Sequence, residues 1–131
     1  MSARLDVIGL VVADMARSLA FYRELGIEFA ADADQEGHVE ASLPGGMRLA
    51  FDTVDEIHKF DPDWEQPTGA GRIGLAFLAD SPSDVDATYQ RLVSAGYDGH
   101  REPWDAFWGQ RYASLRDPDG NGIDLFSPLE S

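Results

Sequence analysis

The sequence predicts an α+β fold in which two βαβββ modules form a cupped mixed sheet. Three observations carry this. A strand–helix pattern occurs twice, a glycine follows each helix, and turn signals rich in glycine separate the strands that come after. In the first copy, "VIGLVVADMARSLAFYRELGIEF", Ile8, Leu10 and Val12 alternate onto one strand face. Asp14 stands where an N-cap belongs, Met15, Leu19, Tyr22 and Leu25 recur at helical spacing, and Gly26 ends the helix before a further strand signal at "GIEF".

The second copy follows the same plan. "RIGLAFLA" places Ile73, Leu75 and Phe77 on one strand face. Ser81, Pro82 and Asp84 then occupy the N-cap, N1 and N3 positions of a helix whose apolar stripe is Val85, Tyr89 and Leu92 and which stops at Gly96. Tyr22 matches Tyr89 and Gly26 matches Gly96, about half a chain apart, as an internal duplication would give. Strand signals follow at 39–43 and 47–52 around "GG", and at 112–115 and 123–127 around "DPDGNG". One domain therefore covers 1–131, with module one over about 1–55, a connecting loop over about 53–71 and module two over about 72–131.

Composition narrows the function. The formal net charge of −14 repels a phosphate backbone and argues against nucleic acid as a partner. The field would draw in cations, although an acidic surface serves solubility equally well. With no cysteine there is no disulfide, thiolate nucleophile or thiolate ligand. No apolar run is long enough to span a bilayer, and the start lacks a signal-peptide pattern, so the expectation is a cytoplasmic protein without a membrane partner. No phosphate-binding glycine loop or Ser–His–acid context is present.

Strand parity gives the candidate site. With the apolar face turned to the helices, the opposite face carries Val7, Gly9 and Val11; His38, Glu40 and Ser42; Arg48, Ala50 and Asp52; and Gly122, Asp124 and Phe126. Counting on from Trp108 adds Gln110, Tyr112 and Ser114. Small residues (Gly9, Ala50, Gly74, Ala76) make room in this cup, and aromatic residues stand at its rim. His38 and Trp108 as parallel rings about 7 Å apart would accept a planar ligand between them. Glu40, Asp52, Gln110, Ser114 and Tyr112 would supply polar contacts, Phe60 and Trp64 of the connecting loop a cap, and Trp104 either core or a further ligand contact. His38, His58 and His100 lack the spacing of a shared metal site.

"VVADMARSLAFYRELG" together with "LRDPDGNGIDLF" resembles the vicinal oxygen chelate superfamily of glyoxalases, extradiol dioxygenases, fosfomycin-modifying enzymes and bleomycin-binding proteins. "GGMRLAFDTV", "DPDWEQPTG" and "WGQRYASLRDPDGNGIDLFSPL" resemble in particular the mitomycin-binding resistance proteins and their enediyne-sequestering relatives. The resemblance implies a homodimer, with strands or modules exchanged between chains, that holds a planar small-molecule antibiotic, with Trp108 stacking on the drug and His38 beside it. In metal-using members His, Glu or Gln side chains of both modules bind a divalent ion. The matching positions here hold Val7, Gly74 and Asp124, with Ala50 where an inward carboxylate is expected. One carboxylate does not hold such an ion against water, so neither metal nor cofactor is expected and Asp124 becomes a hydrogen-bond acceptor. The expected function is metal-independent sequestration of a mitomycin-like or anthraquinone-fused enediyne drug. The rival is a metal-free isomerase or cyclase, or a divergent glyoxalase, using Asp124, Glu40 or Tyr112 as acid or base.

Overall fold

The computed structural model describes residues 3–69 and 71–129. Met1, Ser2, Ala70, Glu130 and Ser131 lie outside the described residues, and with them the outer ends of both expected modules and one residue of the connecting loop. The chain divides into two compact units, Met1–Thr68 and Gly69–Ser131.

In the first unit β1 (Val7–Val12) runs parallel to β3 (Arg48–Thr53), which pairs antiparallel with β2 (His38–Ser42), giving the order β1-β3-β2. Helix α1 (Met15–Glu24) begins where Asp14 Oδ1 accepts from the Arg17 amide at 3.2 Å. It ends before Gly26, whose φ of +94° is a conformation glycine adopts without a Cβ penalty. Leu19, Phe21 and Tyr22 of the helix are fully buried, and the Tyr22 ring lies 5.2 Å from that of Phe51 on β3. The "GG" turn joins β2 to β3 as expected, closed by the Leu43 amide donating to the Met47 carbonyl at 2.8 Å.

Two local features differ from expectation. The segment after α1, 27–30, joins no ladder, so this unit is βαββ. Competing bonds explain it. The Ile27 amide turns back to the Tyr22 carbonyl, and the Ala30 carbonyl is taken by the Ala33 amide and by Arg23 Nη2 at 3.2 Å. Arg23 also pairs with Asp34 at 2.9 Å and lies over the Phe29 ring, which itself packs edge-on against Phe51. The segment is thus pinned by side chains rather than by a sheet. Further on, the connecting loop contains a short helix, α2 (Val54–His58), whose N-cap Thr53 accepts from the Glu56 amide at 3.3 Å.

The second unit is a complete βαβββ: β4 (Gly74–Leu78), α3 (Pro82–Ser94), β5 (Asp98–Ala106), β6 (Gln110–Arg116) and β7 (Gly122–Pro128), with sheet order β4-β7-β6-β5. Strand β4 is parallel to β7, and the other pairs are antiparallel. Helix α3 packs on β5, β6 and β7. The strand residues buried on one face of β6 and β7 are Ala113, Leu115, Ile123, Leu125 and Ser127. Ile73 departs from expectation: the strand begins one residue later, and Ile73 is 76% exposed instead of sharing the face of Leu75 and Phe77. The Ser81 cap holds as predicted, accepting from the Asp84 amide at 3.2 Å and donating to Asp84 Oδ2 at 3.0 Å. Ser81→Ala removes the cap and is expected to lower stability by about 1 kcal/mol. Chemical denaturation measures this as a shift in midpoint at unchanged m-value.

Candidate functional site

The first unit gathers charge on the face of β2 and β3 that turns away from their buried residues. His38 and Asp52 are register partners across the two strands. His38 Nδ1 lies 2.6 Å from Asp52 Oδ1 and Nε2 2.9 Å from Glu40 Oε2. Arg48 then donates to Glu40 at 2.7 Å and to Asp6 at 2.8 Å. The result is a chain of alternating sign: Asp52, His38, Glu40, Arg48, Asp6. Because both ring nitrogens face carboxylates, the doubly protonated imidazolium satisfies every contact. The bonds to Glu40 and then to Asp52 hold the His38 pKa above its usual 6.5, against partial burial. Glu40 is held below the carboxylate range by His38 first and Arg48 second.

A pKa raised in the folded state means the native protein binds this proton more tightly than the unfolded chain. Its stabilisation is therefore full below the unfolded value of 6.5 and is lost as pH rises through the raised value. The expected NMR titration of His38 has its midpoint above 6.5. In Asp52→Asn that midpoint moves down, and the variant's stability deficit is largest at acid pH, shrinking as the pH rises past the wild-type midpoint.

The second unit presents a different surface on the face opposite α3. Cross-strand register arranges it in rows. Gly74, Gly122 and Arg116 form one row; Ala76, Asp124 and Ser114 the next; Leu78, Phe126, Tyr112 and Trp104 the third. Successive rows lie about 7 Å apart, two residues along a strand. The middle row is a closed polar unit: Tyr112 Oη donates to Asp124 Oδ2 and Ser114 Oγ to Asp124 Oδ1, each at 2.8 Å. Burial first, and the bond to Asp124 second, push the Tyr112 hydroxyl up to about 12, so it stays a donor at physiological pH.

Trp108 lies in the turn 107–109 that joins β5 to β6, not on a strand as the parity count assumed. Gly109, at φ +94°, makes that turn possible. The indole is 48% exposed and is nonetheless fixed. Its Nε1–H donates to Gln110 Oε1 at 2.8 Å, and its ring stands edge-on to Trp104, Phe107 and Tyr112 at centroid distances of 5.5, 4.9 and 5.2 Å. The Arg101 guanidinium lies 3.8 Å above the Trp104 ring, whose buried Nε1–H has no partner among the described residues.

The predicted residues therefore fall into groups. His38, Glu40 and Asp52 converge in the first unit; Trp104, Trp108, Gln110, Tyr112, Ser114 and Asp124 converge in the second. Phe60 and Trp64 follow α2: Phe60 is 73% exposed, and Trp64 folds back on His58, which contacts the Trp64 carbonyl at 3.0 Å. Two contributors have no role in the sequence reading, which places Arg48 on the cup face and stops short of Arg116. Arg48 ties Glu40 to Asp6, and Arg116 shares the parity of Tyr112 and Ser114, so continuing the count by one step along β6 finds it.

The residues present do not fit a divalent ion. Val7 and Ala50 offer no donor in the first unit, and Gly74 offers none beside Asp124 in the second. Both Asp124 oxygens already accept a hydrogen bond. Among the described residues, no group of three or more His, Asp or Glu side chains could hold a metal ion. No helix among them is long and apolar enough to cross a membrane.

The family profile described as the glyoxalase/bleomycin resistance protein/dioxygenase superfamily matches residues 4–125. An uncharacterised Mycobacterium bovis protein is 30% identical over 131 residues, covering 92% of this chain and 80% of that protein. The uncharacterised Bacillus subtilis protein YraH is 29% identical over 133 residues, with coverage of 93% and 96%. Among solved structures, a glyoxalase/bleomycin resistance protein/dioxygenase family enzyme from Burkholderia phytofirmans matches with a TM-score of 0.82 at 19% identity, covering 97% of this chain and all of that one, a likeness of fold.

Proposed function

This chain belongs to the glyoxalase/bleomycin resistance protein/dioxygenase superfamily, and within it we propose a metal-independent binding protein that sequesters a planar, quinone-type small molecule of the antibiotic class. The observation that carries this is Trp108: an indole nearly half exposed yet immobilised by a hydrogen bond and three perpendicular rings. An exposed aromatic face that is already ordered loses little freedom when a flat ligand stacks on it. Gln110 fixes the indole, and the Tyr112–Asp124–Ser114 unit forms the polar wall beside it. Mitomycin-like compounds and anthraquinone-fused enediynes have the required flat conjugated system. The physiological setting proposed is a cytoplasmic homodimer protecting its host by keeping the drug from its target.

Binding is favoured over catalysis by the state of the acid–base groups. Tyr112, pushed up to about 12, is a poor proton donor or base near neutral pH. Asp124 has both oxygens engaged, and both His38 nitrogens are held by carboxylates. None is poised to exchange a proton with a substrate.

The test is a tryptophan-fluorescence titration with mitomycin C and with an anthraquinone, with chelator present, correction for drug absorbance, and mass spectrometry of the recovered ligand. Saturable binding near micromolar with unchanged ligand mass is the expected result. Absence of saturation with both compounds would remove the ligand class, and an altered mass would replace sequestration with turnover.

A further inference from the structure

Beyond the aromatic row, the second unit contains a cavity of about 300 Å³ lined by Arg72, Gly74, His100, Arg116, Gly122 and Asp124, among others. Its charge is unusual for this chain. Acidic residues outnumber basic ones 24 to 10, and Arg4, Arg23, Arg48, Lys59 and Arg111 each pair with a carboxylate. Among the described residues, Arg17, Arg72, Arg101 and Arg116 have no carboxylate partner, Arg101 lying instead over the Trp104 ring, and of these four Arg72 and Arg116 line the cavity. Arg116 reaches only His100 Nδ1, at 3.4 Å, a long contact that consumes one of its five N–H donors. Two unpaired guanidiniums thus line one cavity in a protein with acid to spare.

The cavity floor points the same way. Gly74 and Gly122 are register partners on neighbouring strands, and neither has a positive φ that would demand glycine. A Cβ on Gly74 would sit 3.8 Å from the Gly122 carbonyl oxygen, and one on Gly122 would sit 4.0 Å from the Gly74 Cα. Both are ordinary van der Waals distances. Neither backbone geometry nor packing excludes a side chain, and its lack is what leaves the space open.

We propose that this cavity is an oxyanion subsite that receives the carboxylate of the ligand, held by Arg116 and Arg72 over the Gly74–Gly122 floor with His100 alongside. The proposal rests on the binding function above and defines its ligand further, as a planar aromatic acid. Its aromatic body lies against Trp108 over the Tyr112–Phe126 row, and its carboxylate points along β7 toward the arginine row. The strand positions of that row lie about 13 Å on, four residues away, and the long arginine side chains cover part of the span. Arginine's fork matches a carboxylate in geometry. Asp124, one row from Arg116, sets the charge of the guest. Two guanidiniums and one carboxylate leave the site with a net charge of about +1, which a carboxylate monoanion neutralises and a phosphate dianion exceeds, so a carboxylate is preferred to a phosphate monoester.

The experiment compares anthraquinone-2-carboxylate with its neutral methyl ester by calorimetry at low and high salt, and benzoate with inorganic phosphate by amide chemical-shift mapping. These are run on wild type, the double variant Arg72→Gln/Arg116→Gln, and Gly74→Val, which fills the floor. The expected acid preference is about tenfold, the size of one charge-assisted hydrogen bond. It shrinks with salt and falls below about twofold in both variants while ester binding persists in the arginine variant. Benzoate at millimolar concentration shifts the Gly74 and Gly122 amides in wild type alone, and phosphate shifts them less.

Equal binding of acid and ester, with no benzoate response at these glycines, overturns the subsite and leaves the stacking function intact. A benzoate response without binding of either anthraquinone does the reverse: the oxyanion site stands and the planar-ligand function falls. A stronger response to phosphate than to benzoate overturns the carboxylate assignment.

Discussion

Trp108→Ala is expected to weaken binding of a planar aromatic ligand by roughly 30- to 150-fold, about 2–3 kcal/mol, while the fold survives. Two contributions set this size: the apolar area on one face of the ligand that alanine leaves open to water, and the stacking of the indole on that face. The effect on stability is smaller, about 1 kcal/mol, because the ring is nearly half exposed and meets its neighbours only edge-on. Trp108→Phe, which keeps a flat face but loses the bond to Gln110, is expected to recover most of the affinity. Phe107→Ala is the comparison: Phe107 is 91% exposed and meets Trp108 edge-on, so its loss is expected to cost only a small part of the affinity, whereas a generic loss of surface hydrophobicity would cost as much there as at Trp108. Calorimetry measures all three affinities, and thermal melts check the fold. Equal losses for Phe107→Ala and Trp108→Ala would mean that the surface is merely sticky.

The sequence made this residue visible for one sound reason and one fortunate one. Alternation along β6 and β7 correctly places Gln110, Tyr112, Ser114 and Asp124 on one face, because both strands are regular and pair without interruption. Trp108 joined them only because the turn 107–109 brings the indole back over Gln110 and Tyr112; parity has no meaning through a turn. The helix caps at Asp14 and Ser81 and the glycine stops at Gly26 and Gly96 were legible because each depends on residues within one turn of chain. The missing strand at 27–30 was not, since its fate depends on Arg23 reaching Ala30 and Asp34. The same limit hid the charge chain through His38, where every link except His38–Glu40, two residues apart on β2, depends on which strands become neighbours. Arg72 and Arg116 matter because they lack carboxylate partners, and that too depends on where every carboxylate ends up.

Asp117→Ala is expected to cost about 2–3 kcal/mol and to lower Tm by roughly 7–11 °C. Asp117 is 4% exposed and builds the turn between β6 and β7 almost alone. Its Oδ1 accepts from the amides of Asp119 at 2.9 Å and Asn121 at 2.8 Å, and its Oδ2 accepts from Asn121 Nδ2 at 2.8 Å. Its backbone closes the loop through bonds to the Asn121 carbonyl and the Gly120 amide. Alanine leaves these donors without an acceptor in a confined turn, the costly case, whereas Asp117→Asn keeps one acceptor and is expected to lose about half as much. The consequence for binding is local. Arg116 and Gly122 flank this turn and face each other in the first pair of the hairpin, while Tyr112 and Phe126 are paired farther along it. Loosening the turn should therefore erode the preference for a carboxylate before it erodes stacking. In Asp117→Ala, below its melting transition, the acid and the neutral ester of the same anthraquinone should bind with converging affinities, while ester affinity stays close to wild type. A parallel loss of both ligands would instead show that the hairpin moves as one rigid piece, with the arginine and aromatic rows coupled through the Tyr112–Asp124–Ser114 bonds that lie between them.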